Sequence, residues 1–170
     1  KNYYFPKNKK LYIKEGVKIY FENDVSIISE GSILFQGTRE KPIIIYGDKG
    51  KGSIILSNND YSFNNVIVEN LSFPKNNSRI LYGGINIINS NFEFLNSEIT
   101  SSNSEDAINI ISSNSFIKNL KMSNIKADAI DVDFGQLVFE NIHCKSILND
   151  CLDVSGANIN GKYFYAIDVY

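Results

Sequence analysis

The stretch "EDAINIISS" (residues 105–113) returns as "ADAIDVDFG" (127–135) and again as "NDCLDVSGA" (149–157). In each copy an Asp is followed by a small residue, an aliphatic, an Asn or Asp, and a second aliphatic. Asp106, Asp128 and Asp150 stand 22 residues apart, and Gly84, which opens "GINIINS", stands 22 before Asp106. A fixed period of roughly 20–50 residues is the mark of a solenoid or array.

A second landmark runs through the same region. "VIVENLSF" (66–73), "FEFLNSEI" (92–99), "SFIKNLKM" (115–122) and "LVFENIHC" (137–144) stack on Asn70, Asn96, Asn119 and Asn141, at spacings of 26, 23 and 22. Each unit then holds one strand ending near an Asn, a polar turn, and a second strand after the Asp. Short strands with polar corners every ~22 residues make one coil of a β-helix, with parallel strands about 4.8 Å apart along the axis. Ile, Phe and Tyr suit a pleated surface, and Asn and Ser suit turns. Ala is scarce and no stretch has helical periodicity.

Alternation assigns the faces. Ile108/Ile110, Ile130/Val132 and Leu152/Val154 point inward, while Asn109, Asp131 and Asp153 point outward. Val68, Phe94, Ile117 and Phe139 are expected to form one inward column, and Phe73, Ile99, Met122 and Cys144 another. Ile67, Phe116 and Val138 fall on the outward side, which predicts a cover over them: the segment "NNSRILYGG" (76–84), another domain or a partner, with a cover from within the chain favoured. The Asn column is read as structural, its stacked amides bonding along the axis.

The chain reads as one β-helix domain over 1–170: irregular, shorter N-terminal coils over 1–63, regular coils over 64–157, and an incomplete last coil over 158–170. "PKNNSRILYGG" (74–84) is expected to loop out of the stack. "YAIDVY" (165–170) repeats "DAIDVD" (128–133) with Tyr165 in the Asp position. No polar cap follows Val169, so the expectation is a fragment of a longer protein, or further coils, a domain or another chain covering this end.

A net charge of −2 leaves no basic footprint for nucleic acid. No apolar run is long enough for a membrane helix. Neither a signal peptide nor a lipidation motif is visible. Two cysteines, Cys144 and Cys151, do not make a disulfide framework. Cys144 is expected to be a buried, inert thiol and Cys151 to fill a small-residue position.

These coils resemble the right-handed parallel β-helix proteins of the pectin-lyase-like superfold. The Asn column, the inward aliphatic stacks and the 22-residue coil over residues 11–170 carry the resemblance. The opening "EGVKIYF…GSILFQGTREKPIII" is similar to the first coils of bacterial surface β-helix proteins. "DAIDVDF…NDCLDVSGA" is similar to repeats in bacterial proteins with a CotH-like region. The resemblance implies an all-β, right-handed parallel β-helix, and a fold that hosts lyases, hydrolases, epimerases and adhesins alike.

The chemistry-bearing feature is the Asp-rich edge. Asp106, Asp128 and Asp150 should share a corner, with Asp131, Asp133 and Asp153 on the adjoining outward face. Like carboxylates about 5 Å apart raise one another's pKa or recruit a cation. Asp128, Asp131, Asp150 and Asp153 are therefore the candidate Ca²⁺ ligands. Asp131, Asp133 and Asp153, with Arg79 as the positive group, are the candidate catalytic set for a sugar substrate. Asn109, Asp131, Asp153 and Tyr82 are the candidate glycan contacts. The competing reading is that Asp closes a turn by accepting backbone N–H groups. Lys118 should pair with Glu140 across strands. A Cys144–His143–Asp150 triad is disfavoured because Cys144 faces inward and His143 outward, in a column with Ser72, Glu98 and Lys121. The His, Arg/Lys pair and "DPHD" motifs of the superfold's enzymes are absent. The expectation is a non-catalytic structural or glycan-binding module of a secreted or cell-surface protein. The alternative is a polysaccharide lyase, hydrolase or epimerase using the Asp cluster.

Overall fold

The computed structural model describes residues 1–75 and 80–170. It is all-β, a parallel β-solenoid of about 7 turns spaced about 23 residues apart. The strands among the described residues are β1 (Tyr3–Phe5), β2 (Lys10–Lys14), β3 (Lys18–Phe21), β4 (Ser26–Ser29), β5 (Ser32–Gln36), β6 (Ile43–Gly47) and β7 (Ser53–Ser57). They continue with β8 (Asp60–Asn64), β9 (Val66–Glu69), β10 (Gly83–Ile88), β11 (Asn91–Thr100), β12 (Asp106–Ile125), β13 (Asp128–Ile147) and β14 (Asp153–Val169). All pair in parallel and build three faces. The first runs β1-β4-β7-β10 into the starts of β12, β13 and β14. The second runs β2-β5-β8-β11 into their middles, and the third runs β3-β6-β9 through the end of β11 into their ends.

From Asn58 onward, what bends the chain around each corner is a residue in left-handed backbone. The first corner holds Asn58, Asn89, Ser112, Phe134 and Gly156; the second, Asn65, Asn96, Asn119, Asn141 and Tyr163; the third, Asn70, Ser101, Asn124, Ser146 and Asp168. Their φ values lie between 47° and 67°. Asn tolerates this region better than most side-chain-bearing residues. In the regular coils all three corners recur at one common offset, and that offset is the repeat read from the sequence. The corner amides stay in the ladder: Asn65 N–H donates to Leu95 O at 3.0 Å and Asn70 N–H to Thr100 O at 2.9 Å. In β11 to β14 the strands therefore run unbroken through the bends they contain.

This geometry corrects the sequence alignment at one coil. Val68 pairs with Ile99, a longer step than the regular Met122–Cys144, because the chain between the third corner at Asn70 and the first at Asn89 carries an insertion. Asn70 consequently belongs to the third corner. The amide column at the second corner is Asn64, Asn96, Asn119 and Asn141, joined by Nδ2–Oδ1 bonds of 3.2, 2.9 and 3.0 Å. The inward columns are Phe35–Phe63–Phe94–Ile117–Phe139 and Val68–Ile99–Met122–Cys144. Phe73 is 41% exposed and lies outside both. Tyr165 is on the third face opposite His143, not in the Asp position, and Ser72 is not in the His143 column, where Ile67 stands instead. The early coils are not short: the pairs Ile27–Ile54 and Ile33–Tyr61 each enclose more chain than the regular pair Ile108–Ile130.

The core is a continuous stack. Phe63 packs on Phe35, Phe94 and Phe92 with ring centroids 4.2, 5.2 and 5.6 Å apart. Each buried side chain of this size contributes roughly 1.5–3 kcal/mol. A smaller cluster sits outside the barrel on the first face, where Leu81 covers Ile55 and Ile88 beside Ile28 and Ile111. The loop side chain thus covers the first face, not the outward Phe116 and Val138 as expected from the sequence; Ile67 belongs to the third face. On the last coil Val154, Ile159 and Phe164 continue the inward columns and are 37–40% exposed.

Cys144 and Cys151 form a disulfide with Cα atoms 6.1 Å apart, which overturns the free-thiol reading. The third corner turns the chain back between them, so residues seven apart meet across the bend. Their sequence spacing alone carried no sign of this.

The corner and the disulfide can each be tested by removal. Asn119→Val should lower unfolding stability by about 2–3 kcal/mol, from a β-branched residue at positive φ and the loss of two ladder bonds. Asn119→Gly should cost only about 1 kcal/mol, as read by urea denaturation. Reduction of the disulfide should cost about 2–3 kcal/mol. A melting temperature that falls in dithiothreitol for the native chain, and does not respond in Cys144→Ala/Cys151→Ala, checks it.

Candidate functional site

The first face changes chemistry along its length. Its outward column reads Tyr4, Ile28, Ile55, Asn86, Asn109, Asp131 and Asp153 from one end to the other. The neighbouring outward column runs Ser57, Ile88, Ile111, Asp133 and Ser155. Period-2 alternation puts these side chains outside because Ile108, Ile110, Ile130 and Val132 fill the core. The N-terminal half is apolar and covered by Leu81; Asn86 and Asn109 after it are buried, and the acidic end opens from half-buried Asp131 and Asp133 to exposed Asp153.

Asp131 is the centre of the acidic half. Asn109 Nδ2 donates to Asp131 Oδ2 at 2.7 Å, and Asp153 is in register on the other side. Burial, then the charges of Asp133 and Asp153, push the Asp131 carboxyl up to about 6, against the Asn109 hydrogen bond, which pulls it down. Asp106 sits at the start of the face, 4% exposed. Burial, then Asp131 and Asp128, push its carboxyl up to about 7. No hydrogen bond to that carboxylate is made among the described residues. The buried polar environment here holds a proton near neutrality.

Asp128 does the turn work foreseen for the recurring Asp. Its Oδ1 accepts Asn149 Nδ2 at 2.7 Å and the Asp150 N–H at 2.8 Å. Asp150 and Asp153 are exposed. The four residues named for Ca²⁺ are thus in two places: Asp128 with Asp150 at the corner, and Asp131 with Asp153 on the open face. Among the described residues no three His, Cys, Asp or Glu side chains are grouped to hold a metal ion.

Tyr82 is 49% exposed and its carbonyl accepts the Asp106 N–H at 3.3 Å. With Phe73, Ile80, Leu81 and Glu105 it lines a cavity of about 390 Å³ beside the acidic half. Arg79 lies outside the described residues. His143 is on the third face, its ring 6.0 Å from that of Tyr165 and away from the acids, and its neighbour Cys144 is disulfide-bonded. Lys118 pairs with Glu140 at 2.8 Å as expected.

Glu105 and Phe73 were missed as neighbours of the site. Asp106 was visible as a corner residue, but its retained proton depends on burial that the repeat does not encode.

No family model matches the chain, and no curated protein or solved structure does. No helix is long and apolar enough to cross a membrane among the described residues.

Because Asp106 binds its proton more tightly folded than unfolded, the folded state holds more protons between about pH 4 and pH 7. Its contribution to stability therefore falls as pH rises through that window. Asp106→Asn should raise the melting temperature at pH 8 by roughly 3–8 °C, at about 2–4 °C per kcal/mol, and change it little at pH 5. Calorimetry at the two pH values measures it.

Proposed function

We propose that the protein is a non-catalytic β-solenoid module that binds glycans on the acidic half of its first face, as part of a secreted or cell-surface protein. The observation that carries this reading is the half-buried Asp131 carboxylate, held by the buried Asn109 amide, with the exposed Asp153 in register and the exposed Tyr82 at the edge where its carbonyl accepts the Asp106 N–H. Carboxylates and amides accept and donate to sugar hydroxyls, and an exposed aromatic ring offers a stacking surface. Six Asp in one region repel polyuronates, so neutral or amino sugars are the fitting class. The Cys144–Cys151 disulfide supports an oxidising compartment. The likeness of the coils to pectin-lyase-like and CotH-associated β-helices supports the same setting by analogy of fold.

A second reading has its own observation in favour. Asp131 near 6 and Asp106 near 7 are acids able to donate a proton at neutral pH, next to the ionisable Asp133 and Asp153. That pairing is what a hydrolase acting on a glycosidic bond uses. A Ca²⁺ ion on Asp131 and Asp153, with Asp128 and Asp150 at the corner, is the further form of this reading.

Affinity measurements with chito-oligosaccharides, glucosamine oligomers and oligogalacturonates, each in CaCl₂ and in EDTA, test the proposal. The expected result is binding of neutral or amino oligomers with no release of reducing ends, weakened roughly 10-fold by Asp131→Asn/Asp153→Asn. Reducing ends released with an acid limb near pH 6 would move the assignment to the hydrolase. Binding only in CaCl₂ would place a cation in the site. No binding and no cleavage would sink both.

A further inference from the structure

The second face carries an outward column that the fold does not account for. Asp60, Asn91, Asn114, Gln136 and Asn158 follow one another in register over five coils. All five are exposed, and none is at positive φ. Asn at Asn58 or Asn89 is explained by left-handed backbone, which Asn tolerates. That explanation does not reach Asn91 or Asn114. Asn91 opens β11 and Asn114 lies within β12, each two residues past the first-corner residue, in strand positions where Asn and Asp are among the least favoured residues. Left-handed backbone did not select them; what they share is an exposed, partly self-bonded ladder of amides on the second face.

The surface has a definite chemistry. Asn91 Nδ2 donates to Asp60 Oδ1 at 2.8 Å, and Asn114 Nδ2 to Asn91 Oδ1 at 3.3 Å. An amide has two donors and two acceptor lone pairs. The ladder uses one donor on Asn91 and Asn114 and one lone pair on Asn91, leaving on each at least one N–H and one lone pair for solvent. These repeat at the strand spacing, about 4.8 Å. On one side the amide column borders a polar groove of about 500 Å³ at the first corner, walled by Asn58, Asn89 and Ser112. On the other it borders a groove of about 340 Å³ whose sides include Glu93, Phe116 and Val138. Phe116 and Val138 are outward, adjacent in register and half-buried. Theirs is the apolar surface for which the sequence predicts a cover, and Leu81 packs on the first face instead.

We propose that this amide column and its Phe116–Val138 border form a second site, binding a neutral glycan chain that lies along the solenoid axis. A sugar hydroxyl donates and accepts, matching an amide that offers both. The C–H face of a pyranose matches the apolar border. Asp60 and Glu93 place negative charge on the strip and select against anionic chains. An extended ligand crossing the strands meets one amide per coil, so its repeat is read by the coil spacing. The site is on another face from Asp131 and Asp153 and stands or falls separately from the first-face reading.

Affinity electrophoresis of the whole chain in gels containing hydroxyethylcellulose, xylan, glucomannan or polygalacturonate tests it. The expected result is retardation by at least one neutral polysaccharide and none by polygalacturonate. Asn91→Thr/Asn114→Thr should weaken retardation at least 10-fold while keeping or raising the melting temperature, because Thr is the better strand former. Phe116→Thr, which leaves the amides intact, should weaken it as well. Asp131→Asn/Asp153→Asn should leave it unchanged. Retardation by no neutral polysaccharide overturns the proposal. So does retardation that survives both second-face variants, or that is lost only in the Asp131/Asp153 variant, which would return the binding to the first face.

Discussion

The structure depends on a bend that costs no hydrogen bond. From Asn58 onward, at three points in each coil one residue takes left-handed backbone, the chain turns, and corner amides such as those of Asn58, Asn65 and Asn70 still donate to the coil beside them. If the corner amides lost their partners, each coil would bury several unsatisfied N–H groups at roughly 1–3 kcal/mol apiece. Asn fits because its side chain tolerates the conformation and its amide can join a ladder of its own along the axis. Aromatic and aliphatic stacking follows as a consequence: once the corners are in register, inward residues have to lie over one another.

The same constraint shapes the outer surface. A solenoid turns any outward position into a column, so chemistry accumulates by repetition. Aspartates recurring in successive coils become neighbours, and their mutual repulsion adds to the burial at Asp106 and Asp131. Amides recurring on the second face become a strip. Both arrays are extended along the solenoid axis. They resemble extended surfaces suited to a ligand with its own repeat, which is why a glycan chain fits both readings.

Much of this was legible because the repeat is strong where the coils are regular. Asp106, Asp128 and Asp150 announced the period, and alternation placed Ile108, Ile130, Asn109, Asp131 and Asp153 on their correct sides. The Lys118–Glu140 pair followed from the same offset between coils. Reading failed at the coil that carries the insertion. Asn65 and Asn70 lie close together in the chain and both take left-handed backbone, so the local pattern offers two Asn for one alignment. Choosing the wrong one shifted Phe73 into the core and Ile67 onto the wrong face.

Period, alternation and corner chemistry are local properties that any register of the stack must respect, and for that reason the architecture could be read from the chain alone. Contacts across coils set what remained. The Cys144–Cys151 bond exists because a corner brings residues seven apart together. Leu81 covers Ile55 and Ile88 because an inserted loop packs back on the first face. The Asp106 carboxyl is pushed up to about 7 because water is largely excluded and because its neighbours in space, Asp131 and Asp128, come from the next coil. Those effects depend on distances and burial, which a linear repeat does not contain.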